Sequence, residues 1–298
     1  MSRRFWIGST LAVILLAVIV GGVAIATNGD HTFYACENNG RVIADSIRVD
    51  EPVTCKGNKT MVRWNSDGPP GAEVRVPDGE GPFPAIVLVH GGGWLRGSPS
   101  FMRSLATFLS DRGFLTVNTP YKLSNQSPGF PQAVDDVACA VKYAVAHPDS
   151  DGTVALIGHS AGAHISAIVA LTGDQYGADC PVPGTGIPDR FVGLAGPYDV
   201  NRLGIIMLPF FGAGPNETPD AWLAGNPQRL TDENPDLVSL VMYGGSDGSV
   251  DSQYAADFHR ALTASGSESL VEGVEDALHT EMRDPAWVGD LIVVWLER

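Results

Sequence analysis

Positive charge is scarce in this sequence. Nineteen lysines and arginines stand against 34 aspartates and glutamates, so the 298 residues carry a formal net charge of −15. A chain this acidic repels phosphate backbones and anionic lipid surfaces, which argues against nucleic acid as a partner. Cysteine is equally sparse. Cys36, Cys55, Cys139 and Cys180 are the whole complement, and none has a CxxC neighbour. That spacing argues against a zinc site, and no metal or other cofactor is expected. No internal repeat is present, which excludes a solenoid or a propeller. Charged residues make up only 18%, while hydrophobic residues make up 44%, enough for a sizeable core rather than a disordered chain.

The N-terminus lacks acids altogether. After Arg3 and Arg4 the run from Phe5 to Ala26 carries no charge, close in length to the roughly 20 apolar residues that span a bilayer. The two arginines would hold its start on the inner side. Ala24-Ile25-Ala26 is also a small-x-small cleavage signal. Residues 1–27 therefore read as a signal-anchor or a cleaved signal peptide, length favouring the anchor, and either one exports the remainder of the chain. The expected location is extracytoplasmic, membrane-anchored or secreted, with membrane contact through this segment alone. Export places the cysteines in an oxidising space. Proximity in sequence suggests Cys36–Cys55 and Cys139–Cys180, the alternative being buried free thiols.

Residues 28–71 read as a small two-cysteine β segment and a linker, and 28–68 show no helical periodicity. His31 to Cys36 and Thr60 to Trp64 look like strands, with turn chemistry at Asn38-Asn39-Gly40 and Lys56-Gly57-Asn58. So short a segment needs a staple, which Cys36–Cys55 would supply. Its aromatic-Ala-Cys start and Trp-Asn end resemble a small two-cysteine module of exported bacterial proteins. Ser66 to Gly71 reads as a linker.

From Ala72 to Arg298 strands and helices alternate. Residues 84–89, 114–118, 154–157, 191–195 and 237–243 read as strands, with a short one near Leu270. Helices are marked by Phe101, Leu105, Phe108 and Leu109 before Gly113, and by Val134, Val137, Ala138 and Val141 after Pro131. Further helices cover the apolar run 161–171, then Tyr254, Phe258 and Leu262, then Trp287, Leu291 and Trp295. The alternation predicts the α/β class, a mostly parallel sheet with helices on both faces.

Gly158-His159-Ser160-Ala161-Gly162 follows one predicted strand and opens a helix. Small residues on both flanks permit a tight turn that lifts a serine hydroxyl above the sheet edge. His90-Gly91-Gly92-Gly93-Trp94 follows another strand, and glycine lets backbone N–H groups approach a developing oxyanion. Gly92, Gly93 and the N–H of Ala161 are the candidate oxyanion hole, with Gly91 also open. Ser160 needs a base, and the base an orienting acid, which follow the serine in chain order. His279 lies beyond the last strand and is the candidate base. His259 sits in an amphipathic helix and reads as a surface residue. Asp247, after Gly244-Gly245-Ser246, is the candidate acid, with Asp251 and Asp199 as rivals. His159 and His164 flank the turn, where ordinary structural roles are expected; His31 and His147 have no catalytic context.

His90 to Trp94, Tyr121-Lys122-Leu123, Gly158 to His164, Gly196-Pro197-Tyr198-Asp199 and Gly245-Ser246-Asp247 together resemble the α/β-hydrolase superfamily. They are most similar to hormone-sensitive-lipase-like carboxylesterases, in the branch of feruloyl-esterase-like and kynurenine-formamidase-like enzymes. The resemblance covers residues 72–298. It implies a triad of Ser160, Asp247 and His279, no metal, and hydrolysis of a small-molecule carboxylic ester through an acyl-enzyme. Lys122 stands where an arginine is common, and no helical cap precedes the strands. Residues 203–235, with Pro209-Phe210-Phe211 and Trp222, are placed to shape access instead. The other readings are an amidase or peptidase on the same triad, and a surface binding protein that has lost catalysis.

Overall fold

The computed structural model describes residues 17–20, 23–26, 32–38, 41–42, 48–49, 52–56, 60–65 and 69–298, Pro183 excepted. His31, the turn residues 39–40 and 57–58, and linker residues 66–68 lie outside the described residues, as does most of the apolar N-terminal run. Two pieces of the run expected to act as anchor or signal peptide, β1 (Ala17–Val20) and β2 (Val23–Ala26), pair antiparallel. Both are rich in Val and Ile, which suit strands, and Gly21-Gly22 separates them in sequence. No helix among the described residues is long and apolar enough to cross a membrane.

The next segment is a small antiparallel sheet. β3 (Thr32–Asn38) is central, with β4 (Arg41–Val42) and β5 (Arg48–Val49) along one edge and β6 (Thr60–Asn65) along the other. Cys36, buried in β3, is bonded to Cys55. Cys139 is bonded to Cys180, so both expected pairings form.

The large sheet holds β7 (Glu73–Arg75), β8 (Phe83–Val89), β9 (Leu115–Thr119), β10 (Ser150–His159), β11 (Arg190–Leu194), β12 (Val238–Gly244) and β13 (Glu268–Val274). Their spatial order is β13-β12-β11-β10-β8-β9-β7, all parallel except β7, which runs antiparallel to β9. The predicted mostly parallel α/β sheet is what forms. The strand near Leu270 is a full edge strand rather than a short one.

Strand alternation divides the core between two faces. On β8, Ala85, Val87 and Val89 face one side with Val154 and Leu156 of β10, under helices α2 (Gln132–Ala146) and α3 (Ala161–Thr172). Ile86, Leu88, Ala155 and Ile157 face the other, under α1 (Arg103–Ser110) and the C-terminal helix Pro285–Leu296. Each residue step turns the side chain to the opposite face. The period of two therefore loads both layers from one strand. Phe101 precedes α1 in a 3-10 turn and is exposed, unlike Leu105 and Leu109.

Short helices α4 (Val200–Leu203), α5 (Leu208–Phe211) and α6 (Pro219–Ala224) fill the stretch after β11, and α7 (Gln253–Ser265) follows β12. The C-terminal helix, α8, buries Val288, Ile292 and Trp295. Trp287 and Leu291, the other two residues that mark it in sequence, are exposed. Its inner stripe is therefore shifted one position from the aromatic pattern.

The strand order reverses at β8. Its successor β9 lies on one side and β10 on the other, so the loops leaving β8 and β10 diverge at their carboxyl ends. Crevices at such switch points are where open parallel sheets bind ligands. The Cys139–Cys180 bond ties α2 to the loop after α3 across 41 residues. Replacing both cysteines with serine should lower unfolding stability by about 3–4 kcal/mol, by loss of loop closure in the unfolded chain. Urea unfolding of the two forms checks this.

Candidate active site

The loop leaving β10 turns into α3 within one residue. Ser160 holds φ 54° and ψ −121°, a left-handed backbone that a side chain adopts only when the surroundings enforce it. Its N–H donates to the carbonyl of Leu194 on β11, and its own carbonyl accepts from His164 N–H in the first turn of α3. The flanking glycines are demanded by contact. A Cβ on Gly158 would lie 2.4 Å from the Gly162 carbonyl oxygen, and one on Gly162 would lie 2.3 Å from the Val89 oxygen. Only a bare backbone lets α3 start this close to β8. The turn projects the serine hydroxyl above the carboxyl ends of the sheet.

Two further loops reach it. β12 and β13 are neighbours and parallel, so the segments after them run side by side. Gly245 N–H donates to Val274 O and Ser246 N–H to Ala277 O, which locks those two segments together. Asp247 and His279 are carried on them. Ser160 Oγ stands 2.9 Å from His279 Nε2, and His279 Nδ1 stands 2.7 Å from Asp247 Oδ2. The Asp247 side chain is only 1% exposed. Ser249 N–H at 2.7 Å and Val250 N–H at 3.0 Å donate to its Oδ1, so both carboxylate oxygens are bonded. A buried charge is tolerated when it is so satisfied.

The rival acids are engaged elsewhere. Asp251 is exposed and accepts from Gln253 N–H at the start of α7. Asp199 caps α4 through Asn201 N–H and accepts from the Asn226 amide. His259 is half-buried rather than a free surface group, 3.0 Å from Ser269 Oγ. His147, just past the end of α2, accepts from Asp149 N–H and takes no part in the site.

The glycine loop after β8 is folded back on itself. Gly92 has φ 132° and Gly93 φ 62°. Arg96 N–H donates to Gly92 O, and a Cβ on Gly92 would lie 1.8 Å from Arg96 O. The N–H groups of Gly92, Gly93 and Ala161 donate to no protein acceptor among the described residues. Gly91 is held for another reason: a Cβ there would lie 2.7 Å from His159 Nδ1 and 3.0 Å from Ser160 Cβ. Tyr121 braces the loop by stacking on His90, with ring centroids 4.4 Å apart, and Ser124 N–H donates to Trp94 O. Burial lowers the His90 pKa.

Sequence reasoning missed how much His159 and His164 hold together. Trp94 Nε1–H donates to His164 Nδ1 at 3.2 Å, which leaves Nε2–H to donate to Gly225 O at 2.9 Å. One fully buried imidazole thus joins the glycine loop, α3 and the end of α6. The spacing carried a signal: His164 lies one helical turn after Ser160 and so beside it on α3. Phe210, Phe211 and Trp222, expected at the entrance, turn inward instead. They are buried around Trp94 and Phe130. Ile205 and Ile206 are the most exposed apolar side chains of that stretch.

Both buried histidines are held neutral. Desolvation is the main cause, lowering His159 to about 3, with the nearby His279 adding to it, and His164 to about 4. The unfolded chain takes up these protons near pH 6.5 and the folded one far lower, so stability is present above that value and lost as pH falls below it. Between pH 7 and pH 5 each should remove about 2 kcal/mol of stability. Urea midpoints of the parent and of His164→Gln at both pH values check this, the variant losing less on acidification.

The BD-FAE family profile matches residues 74–262 of this chain. The chain is 32% identical over 143 residues to an AB hydrolase superfamily protein of Schizosaccharomyces pombe, covering 45% of this chain and 41% of that one. It is 31% identical over 125 residues to the esterase LipC of Mycobacterium tuberculosis, covering 40% and 31%. It therefore spans less than half the length of these relatives. In three dimensions it resembles a truncated carbohydrate esterase from gut microbiota, with a TM-score of 0.65 at 19% identity, covering 76% of this chain and 90% of that one. A thermophilic esterase of Thermogutta terrifontis, solved with propionate, gives 0.59 at 17% identity, covering 76% and 89%. At these identities the structural likeness speaks for the α/β-hydrolase fold alone. The profile spans more than half of the sequence and includes the glycine loop, the serine turn and Asp247, so the chain belongs to the BD-FAE family.

Proposed function

We propose that the protein is a carboxylic-ester hydrolase that works through Ser160, His279 and Asp247 and an acyl-enzyme intermediate. The single observation that carries this reading is the unbroken line of hydrogen bonds from Ser160 Oγ through His279 to the buried Asp247. His279 Nε2 takes the serine proton as Oγ attacks the ester carbonyl. The carbonyl oxygen gains negative charge and is met by the unengaged N–H groups of Ala161, Gly92 and Gly93. Collapse expels the alcohol, which receives the proton from His279. Water then repeats the sequence on the acyl-serine and releases the acid. Asp247 accepts from His279 Nδ1, fixing the tautomer and stabilising the imidazolium formed at each step.

Family membership supports the ester as substrate, since the relatives include the esterase LipC. Residues 72–298 carry the catalytic unit in this reading, with the disulfide-stapled segment 28–71 before it. The two disulfides support an oxidising, extracytoplasmic location reached by way of the N-terminal apolar run.

The test is hydrolysis of p-nitrophenyl esters, from acetate to long acyl chains, by the full chain folded under oxidising conditions. The parent should turn over the short esters, and Ser160→Ala should lower kcat by at least about 1,000-fold while melting at the parent's temperature. Equal activity in parent and variant would contradict the assignment. Activity on anilides but not esters would favour an amidase on the same groups.

A further inference from the structure

The proposed proton transfers make no use of His159, yet this side chain touches the base. Its Nε2 lies 2.9 Å from the backbone carbonyl oxygen of His279, and the two rings lie 4.9 Å apart at 45°. A carbonyl only accepts, so Nε2 carries the proton and Nδ1 is the bare nitrogen. That Nδ1 is buried without a hydrogen-bond partner among the described residues, facing the space that Gly91 leaves open. An unsatisfied buried acceptor is unfavourable and rare in folded proteins, and an apolar residue would avoid it. What the imidazole supplies in return is the single bond to His279.

That bond joins a segment otherwise anchored to either side of His279, by Ser246 N–H on Ala277 O, by Glu281 N–H on Leu278 O and by the buried Ala277 and Met282. Leu278 N–H donates to the exposed Glu281 carboxylate, and the His279 side chain is 19% exposed. We propose that His159 is a positioning residue, whose Nε2–H holds the backbone of His279 so that the base's own Nε2 stays in line with Ser160 Oγ. The proposal rests on the hydrolase reading. His159 is the residue before the nucleophile and packs on Gly91, so serine, base and glycine loop share one buried ring. Around it the titratable groups are His279 and Asp247 from the loops after β13 and β12, and Arg283 from the turn that follows His279. Burial first, then an imidazolium at His279 and the Arg283 guanidinium, oppose a second proton on His159 and outweigh the opposite pull of Asp247, so it stays neutral while the base cycles.

Two polar substitutions separate positioning from simple packing. Glutamine at position 159 can place an amide N–H near where Nε2 sits; asparagine, one carbon shorter, falls short of the carbonyl. The full chain, Ser160→Ala, His159→Gln and His159→Asn are compared by thermal melting and by kcat and KM on p-nitrophenyl acetate from about pH 5 to 9. His159→Asn should lose about 10- to 100-fold in kcat with KM nearly unchanged, because a displaced base affects the chemical step. His159→Gln should recover most of that loss and keep the parent's acid limb, since His159 does not titrate there. Equal kcat in the two variants, whether both fast or both slow, would overturn the proposal, as would an acid limb that moves in His159→Gln. An inactive parent, or an active Ser160→Ala, would instead overturn the hydrolase reading beneath it.

Discussion

A serine forced into a left-handed backbone between a strand and a helix is the constraint on which the rest of this structure depends. Ser160 at φ 54° costs on the order of 1–3 kcal/mol, and that strain persists only because the surroundings leave no relaxed alternative. β10 is paired on both sides, by β8 and β11, so the strand end cannot shift. α3 is buried along its entire length, so the helix cannot retreat. Gly158 and Gly162 let the two approach to distances that any Cβ would forbid. Strand pairing, helix burial and missing side chains together fix one hydroxyl in space.

The remaining parts of the site are arranged by sheet order rather than by local sequence. β8 and β10 are neighbours, which puts the glycine loop beside Ser160. β12 and β13 are neighbours, which puts Asp247 beside His279. Hydrogen bonds between the loops, Gly245 to Val274 and Ser246 to Ala277, then set their register. Buried neutral histidines tie these loops together where lysine or arginine would need a buried counter-charge. His164 links Trp94 to Gly225, and His159 links the serine turn to His279. Low local polarity keeps both uncharged, so they can hold a directional bond without adding charge beside His279.

Much of this was legible in the sequence because the strongest features are local. Gly158 to Gly162 must be a tight turn whatever surrounds it, and the apolar runs of β8 and β10 could only be buried strands. Asp247 could be ranked above Asp251 and Asp199 by position alone, and the two rivals are bonded to local backbone, Asp199 as the cap of α4 and Asp251 to Gln253 N–H. Spacing could not supply direction. Phe210 and Trp222 were expected at the entrance and turn into the core, because burial of large rings, Phe210 against Trp94 and Trp222 against Phe211, outweighs lining an opening. Trp287 and Leu291 mark the last helix by their size, but its register against the sheet is set by Val288, Ile292 and Trp295. The roles of His159 and His164 depend on contacts 120 and 61 residues away in sequence, which no periodicity reveals.

The central claim is that one serine, activated by its neighbours, is a nucleophile. Exposure of the folded full chain to a fluorophosphonate, followed by mass spectrometry of its peptides, tests that without any assumption about substrate. Rapid addition of one phosphonyl group, confined to the peptide containing Ser160 and lost in His279→Ala, is the predicted result. Absence of labelling in the folded protein, or labelling at Ser160 that is equally fast without His279, would contradict the account.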